Sequence, residues 1–310
     1  MPGSFVLRHA EDAFNIRKFV QLHRCKTAAV AGGGLLGLEA AFALSKLGLS
    51  VTVLERGDWL LRRQLDARAG QLLQSYLEGL GLTILLNAWA TRLELDKGRL
   101  ACVLLNDGRP LKAELLLVAA GIVPNIELAR KVGLDVAKGV VVDDHLRTSD
   151  AAIFAVGDVA EHRGIVLGLW PTCVEQAEAA AENVVGGDRI YQPTVPMTML
   201  KVVGADMLSC GRIETQDSQD TLIIREDEGA KTYLKLVIRD NCLHGAILLG
   251  HAQAASSVSA AVKITYTSLP FWTDCEAVTW TRSPIHVKAR MSFVALRRHR
   301  FPAEHVCFQG

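Results

Sequence analysis

Glycines spaced as Gly32-x-Gly34-x-x-Gly37 close one apolar run, Thr27–Ala31, and a carboxylate, Glu55, closes the next, Ser50–Leu54. Residue types in this order suit the binding of a diphosphate on backbone N–H groups, with an acid taking the sugar beside it. Gly32 permits a tight turn out of the first strand, Gly34 lets backbone amides approach a pyrophosphate with no Cβ in the way, and Gly37 lets the following helix pack closely on the sheet. The helix start, at Leu35 and Leu36, offers free N–H groups and the positive end of a dipole to an anion. Glu55 stands a little over twenty residues past Gly32, close to the offset of about 20 at which an acid accepts hydrogen bonds from both ribose hydroxyls. The competing reading is a glycine-rich turn in an ordinary α/β sheet. The strand before, the helix after and the distal acid favour dinucleotide binding. An acid at that position repels a 2′-phosphate and so favours NAD(H) over NADP(H). Arg56, Arg62 and Arg63 follow closely and keep NADP(H) open, although they, Arg62 above all, also read as a solvated loop.

The elements that must position these groups can be read from periodicity. Ser4–Leu7 reads as a short strand, followed by a helix through Ala13, Ile16, Phe19 and Val20 with Glu11 and Asp12 in its first turn. Leu38, Ala41, Phe42, Leu44 and Leu47 give a second helix, stopped by Gly48. Asp66 is a candidate N-cap for a third, through Leu72, Leu73, Leu77 and Leu80 and closed by Gly81. Thr83–Leu86 is a parallel strand. Beyond Asn87 the period changes: Thr91–Leu95, Leu100–Leu105 and Pro110–Lys112 alternate with Asp96-Lys97-Gly98 and Asn106-Asp107-Gly108, predicting an antiparallel meander. Glu114–Ala119 returns to the buried sheet and runs into a loop marked by Gly121 and Pro124, before a helix over Ile126–Val132. Val140–Val142 and Thr148–Asp158 follow, the latter read as an apolar strand, Ile153–Val156, leading to Gly157 and Asp158. Thr172-x-x-Glu175 reads as a capping box opening an alanine-rich helix to Val185. From Tyr191 a smaller unit begins, with strands at Lys201–Val203, Met207–Gly211, Thr221–Arg225, Tyr233–Arg239 and Leu243–Leu249, a hairpin turn at Asp240-Asn241 and a closing helix, Ala252–Ile264.

Composition narrows the function classes. The chain has 310 residues, half of them apolar, enough for two domains and a sizeable core. A net charge of +1 gives no electrostatic case for nucleic acid, and Arg297-Arg298-His299-Arg300 reads as a solvated tail. No apolar run approaches the roughly 18 residues of a membrane span, and the N-terminus has no signal-peptide core, so the expected location is cytoplasmic, with no membrane partner. Seven scattered cysteines contain no CxxC or CxxxxC pair. That removes dithiol relay chemistry and clustered iron–sulfur ligation, and with similarly scattered histidines no metal site is expected.

The segments Gly32–Ala41, Arg63-Gln64-Leu65-Asp66 and Ala119–Asn125 resemble the NAD domain of FAD-dependent pyridine nucleotide oxidoreductases, and Thr148–Asp158 resembles their second flavin motif. Gly168-Leu169-Trp170, Glu175-Gln176 and Leu200-Lys201-Val202-Val203-Gly204 are similar to rubredoxin reductases and to the flavoprotein part of assimilatory nitrite reductase large subunits. The similarity spans about residues 4–262. It implies an α/β fold: a doubly wound, Rossmann-like parallel-sheet NAD domain with a β-meander, part of an FAD domain and a small α+β C-terminal domain. The implied divisions are a crossover over 1–22, the NAD(P)H domain over 23–143, the FAD part over 144–190, the small domain over 191–264 and an unassigned tail over 265–310.

The resemblance further implies that NADH passes electrons through FAD to a separate acceptor, a small molecule or a redox protein. Arg63 and the Gly121–Pro124 loop would lie at the dinucleotide, and Glu39 would orient the nicotinamide carboxamide unless it is simply an exposed helix glutamate. Leu36 stands where some relatives have a gating tyrosine. Gly157 and Asp158 would face a ribityl hydroxyl, Asp158 otherwise being a turn aspartate. The helix carrying Glu175 would point its N-terminus at the flavin ring. Trp170 reads equally as flavin neighbour or core filler. Such enzymes carry a first strand–GxGxxG–helix unit for the FAD pyrophosphate, and none is read before Ser4, which leaves FAD binding and a separate FAD-domain partner both open; the small domain contributes to dimer contacts in the family, leaving a homo-oligomer open as well. The alternative is an NAD(H)-binding module or split-enzyme subunit without flavin turnover of its own.

Overall fold

A computed structural model describes residues 1–193, 195–200 and 205–268. The chain runs β1 (Ser4–Val6), α1 (Ala10–His23), β2 (Thr27–Ala31), α2 (Leu35–Lys46), β3 (Ser50–Leu54), α3 (Ala67–Gly79), β4 (Thr83–Leu85), β5 (Ala90–Asp96), β6 (Arg99–Leu105), β7 (Pro110–Lys112), β8 (Leu115–Val118) and α4 (Glu127–Lys131). It continues as β9 (Val140–Val142), β10 (Ala160–His162), α5 (Trp170–Val184), β11 (Met197–Leu200), β12 (Met207–Gly211), β13 (Thr221–Asp227), β14 (Thr232–Arg239), β15 (Cys242–Leu249) and α6 (Ala252–Ser268).

The first sheet is wholly parallel, in the order β1-β8-β2-β3-β4. Its central strand, β2, has Ala28, Ala29 and Val30 buried, as a strand covered on both faces must. Leu38 and Ala41 of α2 and Leu73 and Leu77 of α3 complete that core. The chain leaves β2 toward β3 and β4, crosses the antiparallel meander β5-β6-β7 and returns on the other side of β2 as β8. The reversal places the carboxyl ends of β2 and β8 side by side, the topological switch point at which open α/β sheets bind ligands. Residues 1–22, set apart in the sequence as a crossover, ladder and pack into this same unit: β1 pairs with β8, and Ile16 and Val20 of α1 are buried in its core.

Local signals behave as expected where local geometry decides. Asp12 Oδ2 accepts the N–H groups of Arg8 and His9 at the start of α1, and Asp66 Oδ1 accepts that of Ala69 at 3.0 Å, capping α3. Lys97-Gly98 and Asp240-Asn241 all take positive φ, the geometry of two-residue hairpin turns.

Two expectations need correction. Ile153–Val156 is not a strand. An apolar run becomes one only where neighbouring strands take up its backbone groups, and among the described residues only Phe154 forms a bridge, to Arg147. Asp158 therefore sits in a single helical turn, Gly157–Val159, rather than at a strand end. Nor does Thr172 open α5. The helix begins at Trp170, because Pro171, with its preset φ and missing N–H, suits the first turn, and this carries Thr172 and Glu175 past the capping positions.

β9 and β10 form a small parallel pair whose Val142 and Ala160 pack with Ala179, Ala180 and Tyr191 around α5. The antiparallel sheet β11-β12-β15-β14-β13, with α6 against it, makes the C-terminal unit. The closing helix runs to Ser268, past the expected end at Ile264. The expected strand Lys201–Val203, the Leu200–Gly204 motif beyond Leu200 and the basic cluster at 297–300 lie outside the described residues. No helix among the described residues is long and apolar enough to cross a membrane.

Candidate functional site

The glycine turn is built as its residue types require. Gly32 has φ +123°, and a Cβ there would come within 2.3 Å of the Ala119 carbonyl oxygen at the end of β8. A Cβ on Gly37 would lie 2.0 Å from the Gly32 oxygen, so α2 touches the turn with no room for a methyl group. Gly34 differs in kind: nothing lies within 4 Å of its missing Cβ, which would project into open space. Gly34 caps α2, whose first residues are half-buried Leu35 and exposed Leu36. The helix start, with its positive dipole end, thus lies beyond the carboxyl end of β2 with open space at Gly34.

Glu55, immediately beyond β3, turns back toward the glycine turn. Its Oε2 accepts the Gly33 N–H at 2.8 Å and its Oε1 accepts the Gly57 N–H at 2.7 Å. The carboxylate is fixed by two backbone donors, and its remaining lone pairs can serve a ribose hydroxyl. Glu39 is exposed on α2 and makes no ion pair among the described residues. Arg63 is exposed on the loop after β3. Gly121, with φ +103°, and half-buried Pro124 lie in the loop after β8.

That loop meets the second group of candidate residues. The missing Cβ of Gly168 points at Ile122 Cδ1, 2.9 Å away, so the segment leading into α5 touches the loop after β8. Trp170 is 81% exposed, which overturns its reading as core filler. Gly157, at φ +78°, donates its N–H to Gln176 Oε1 at 2.7 Å, and the exposed Asp158 carboxylate accepts the Cys173 thiol at 3.4 Å. Burial, then the neighbouring Asp158 charge, push the Cys173 thiol up from its ordinary pKa, which keeps it protonated and a donor. Glu175 Oε2 is buried without a hydrogen-bond partner, and burial raises its pKa. Sequence reasoning missed Gly57, Cys173 and Gln176 as supports, as well as Trp59 and Trp89 beside the arginine loop. Only Gln176 carried a signal, through its place in the Glu175-Gln176 pair.

A parallel sheet with a glycine turn and helix start at its switch point, and an acid closing the next strand, defines the dinucleotide-binding α/β class. Comparison with known proteins narrows it: residues 2–181 match the pyridine nucleotide-disulphide oxidoreductase family and residues 196–265 match the rubredoxin NAD+ reductase C-terminal domain. The chain belongs to the pyridine nucleotide-disulphide oxidoreductase family, whose members use FAD and NAD(H). It is 39% identical over 249 residues to the assimilatory nitrate reductase electron transfer subunit of Bacillus subtilis (strain 168), covering 80% of this chain and 32% of that protein. It is 33% identical over 223 residues to a rubredoxin-NAD(+) reductase of Pseudomonas putida, covering 70% of this chain and 57% of that one. The crystal structure of NADH:rubredoxin oxidoreductase from Clostridium acetobutylicum superposes with a TM-score of 0.64 at 28% identity, covering 84% of this chain and 64% of that one. The chain thus spans about a third of the first relative's length and little over half of the second's.

Proposed function

We propose that this chain is the NADH-binding and flavin-facing portion of an oxidoreductase that passes electrons to a separate acceptor, a small molecule or a redox protein. The observation that carries this is the open space at Gly34, the N-cap of α2, in a glycine turn whose Gly33 N–H is held by the Glu55 carboxylate. In this reading the N–H groups of Leu35 and Leu36 hold the diphosphate, Gly32 and Gly37 set their position, and Glu55 takes the adenosine ribose. Glu39 orients the carboxamide, Arg63 lies at the coenzyme's outer edge, and Gly121–Pro124 closes over the nicotinamide end. The domain divisions at residues 143 and 190 follow the same reading.

The described residues fit one side of a flavin. The exposed Asp158 carboxylate, set by Gly157 and Cys173, suits a ribityl hydroxyl, and the first turn of α5 with Trp170 and Glu175 suits the ring. FAD, when bound, supplies hydride acceptance and the release of electrons one at a time. The protein's own contribution is position: the Ile122–Gly168 contact joins the nicotinamide loop to the flavin-facing segment, holding two reactants at one place.

A second reading is favoured by one feature. Trp170 and Val123 are 81% and 88% exposed, each two residues or fewer from the Gly168–Ile122 contact, so this face suits a separate FAD-domain partner, in whose absence the chain binds NAD(H) without turnover. Purification and titration separate the two. Yellow protein with flavin absorbance that NADH bleaches is expected from the first reading; colourless protein that binds NADH, and turns over only after a flavin-domain fragment is added, is expected from the second. Folded protein that binds no nicotinamide coenzyme would overturn both.

A further inference from the structure

We propose that Tyr233 and Lys235, on β14 of the C-terminal sheet, are positioning residues for the coenzyme: they grip Asp66 and, through the coil that precedes it, keep Leu60 pressed on Gly33 and the glycine turn in its binding shape. The inference rests on the reading of that turn as the seat of the diphosphate. Neither side chain is asked to touch the coenzyme.

Gly33 stands immediately before Gly34, the N-cap of α2, so a shift of Gly33 carries the first amides of the helix with it. Two groups fix it. Its N–H is donated to Glu55 Oε2 at 2.8 Å, and a Cβ on it would lie 2.7 Å from Leu60 Cδ2, which sets the Leu60 side chain directly against the backbone of the turn. Leu60 is wholly buried and belongs to residues 55–66, which form neither strand nor helix between β3 and α3. A segment outside regular structure is placed by what packs against it and by what holds its ends.

Between Leu60 and Asp66 this coil is closed on itself. The Leu61 carbonyl accepts the N–H groups of Gln64 at 2.8 Å and Leu65 at 2.9 Å, Leu61 takes φ +54°, and the Leu65 carbonyl accepts the Trp59 Nε1–H at 3.0 Å. At its far end Asp66 Oδ2 accepts the Tyr233 hydroxyl at 2.8 Å and the Lys235 ammonium at 2.9 Å, both from buried side chains. Leu60, Leu61 and Leu65 share one core with Met207, Tyr233 and Ile247 of the C-terminal sheet. The coil is therefore clamped between that sheet and the glycine turn, and loosening the Asp66 end frees Leu60 to retreat from Gly33. Arg68, paired with Glu226, joins α3 to the same sheet from outside the coil.

Calorimetric titration of NADH into the parent and four variants at neutral pH, each shown to be folded by its urea transition, tests this without any dependence on turnover. Tyr233→Phe, at the far end of the route, and Leu60→Val, at the near end, are each expected to weaken NADH about fivefold. The double variant is expected to lose less than about tenfold, not the product of about 25-fold, because both substitutions break one chain of contacts. Arg68→Gln removes a contact with the sheet that lies off this route, and its NADH affinity is expected to stay within about twofold of the parent's; a merely structural role would move Arg68→Gln and Tyr233→Phe alike. Should Tyr233→Phe not fold, Lys235→Met takes its place with the same expected outcomes. Parent-like affinity in the β14 variant, losses that multiply in the double variant, or an equal loss in Arg68→Gln would overturn the inference while leaving the coenzyme at the glycine turn. A folded parent chain that binds no NADH would overturn that seat and this inference together.

Discussion

Gly34→Ala is expected to lose NADH binding by about 100-fold while the protein unfolds close to the parent's midpoint, and Gly37→Ala is expected to lose stability as well as binding. The two glycines lie three residues apart in one motif, yet an added methyl group meets opposite surroundings. At Gly34 it enters open space, and φ of −81° is acceptable to alanine, so the cost to the fold is limited to a poorer helix cap, at most about 1 kcal/mol. The same methyl stands where a diphosphate must approach the first amides of α2, and each charge-assisted hydrogen bond lost there is worth about 1.5–3 kcal/mol. At Gly37 the methyl would lie 2.0 Å from the Gly32 carbonyl oxygen, a backbone atom that cannot rotate away. α2 must shift off the sheet, at an overpacking cost of about 3 kcal/mol. Urea unfolding and calorimetric titration of both variants decide the matter. Parent-like NADH affinity in Gly34→Ala would mean that the coenzyme's diphosphate lies elsewhere.

The same contrast shows which features the sequence makes legible. The glycine turn, the Asp66 cap and the positive-φ hairpin turns are set by residues within a few positions of one another, and each appears where its residue types put it. Ile153–Val156 failed as a strand because laddering is non-local: an apolar run says that burial is favourable, and only a neighbour can supply the hydrogen bonds. The N-cap of α5 was misplaced by three residues, Thr172 for Leu169, because Thr172 and Glu175 match a capping pattern while Pro171, one step earlier, fits the first turn better. The approach of Arg56 to Trp89 and of Arg62 to Trp59, at 5.0 and 5.3 Å from the ring centres, was invisible for a different reason. Trp89 lies 33 residues beyond Arg56 on the approach to the meander, and no periodicity joins them.

Asp66→Ala is expected to destabilise the chain by about 4 kcal/mol, because one carboxylate serves two structures. Its Oδ1 caps α3, while its Oδ2 accepts the Tyr233 hydroxyl at 2.8 Å and the Lys235 ammonium at 2.9 Å, both from β14 of the C-terminal sheet. Lys235 is 5% exposed, so removing its close partner leaves a buried ammonium with only Glu214, at 3.5 Å, still near it. Loss of the cap adds about 1 kcal/mol. Asp66→Asn keeps an acceptor for Ala69 and should cost less, and combining it with Lys235→Met should recover most of the loss, since no buried charge then lacks a partner. The junction also sets a pH window. Burial opposes the Asp66 charge, but the hydrogen bonds from Ala69, Lys235 and Tyr233 outweigh it and hold its pKa below the ordinary carboxylate value. Its contribution is therefore complete above the unfolded pKa near 3.9 and is lost as pH falls through the lower folded value. Tyr233 titrates in the other direction: burial and then its bond to Asp66 raise its pKa, so its contribution is complete below the unfolded value of about 10 and is lost as pH rises through the folded one. Urea midpoints measured across pH should fall at both ends, with Asp66→Asn removing the acid limb and Tyr233→Phe the alkaline limb. An Asp66→Asn midpoint equal to the parent's at neutral pH would show that the two units are held together by their apolar contacts, Met207, Ile247 and Leu249 against the α3 core, and not by this carboxylate.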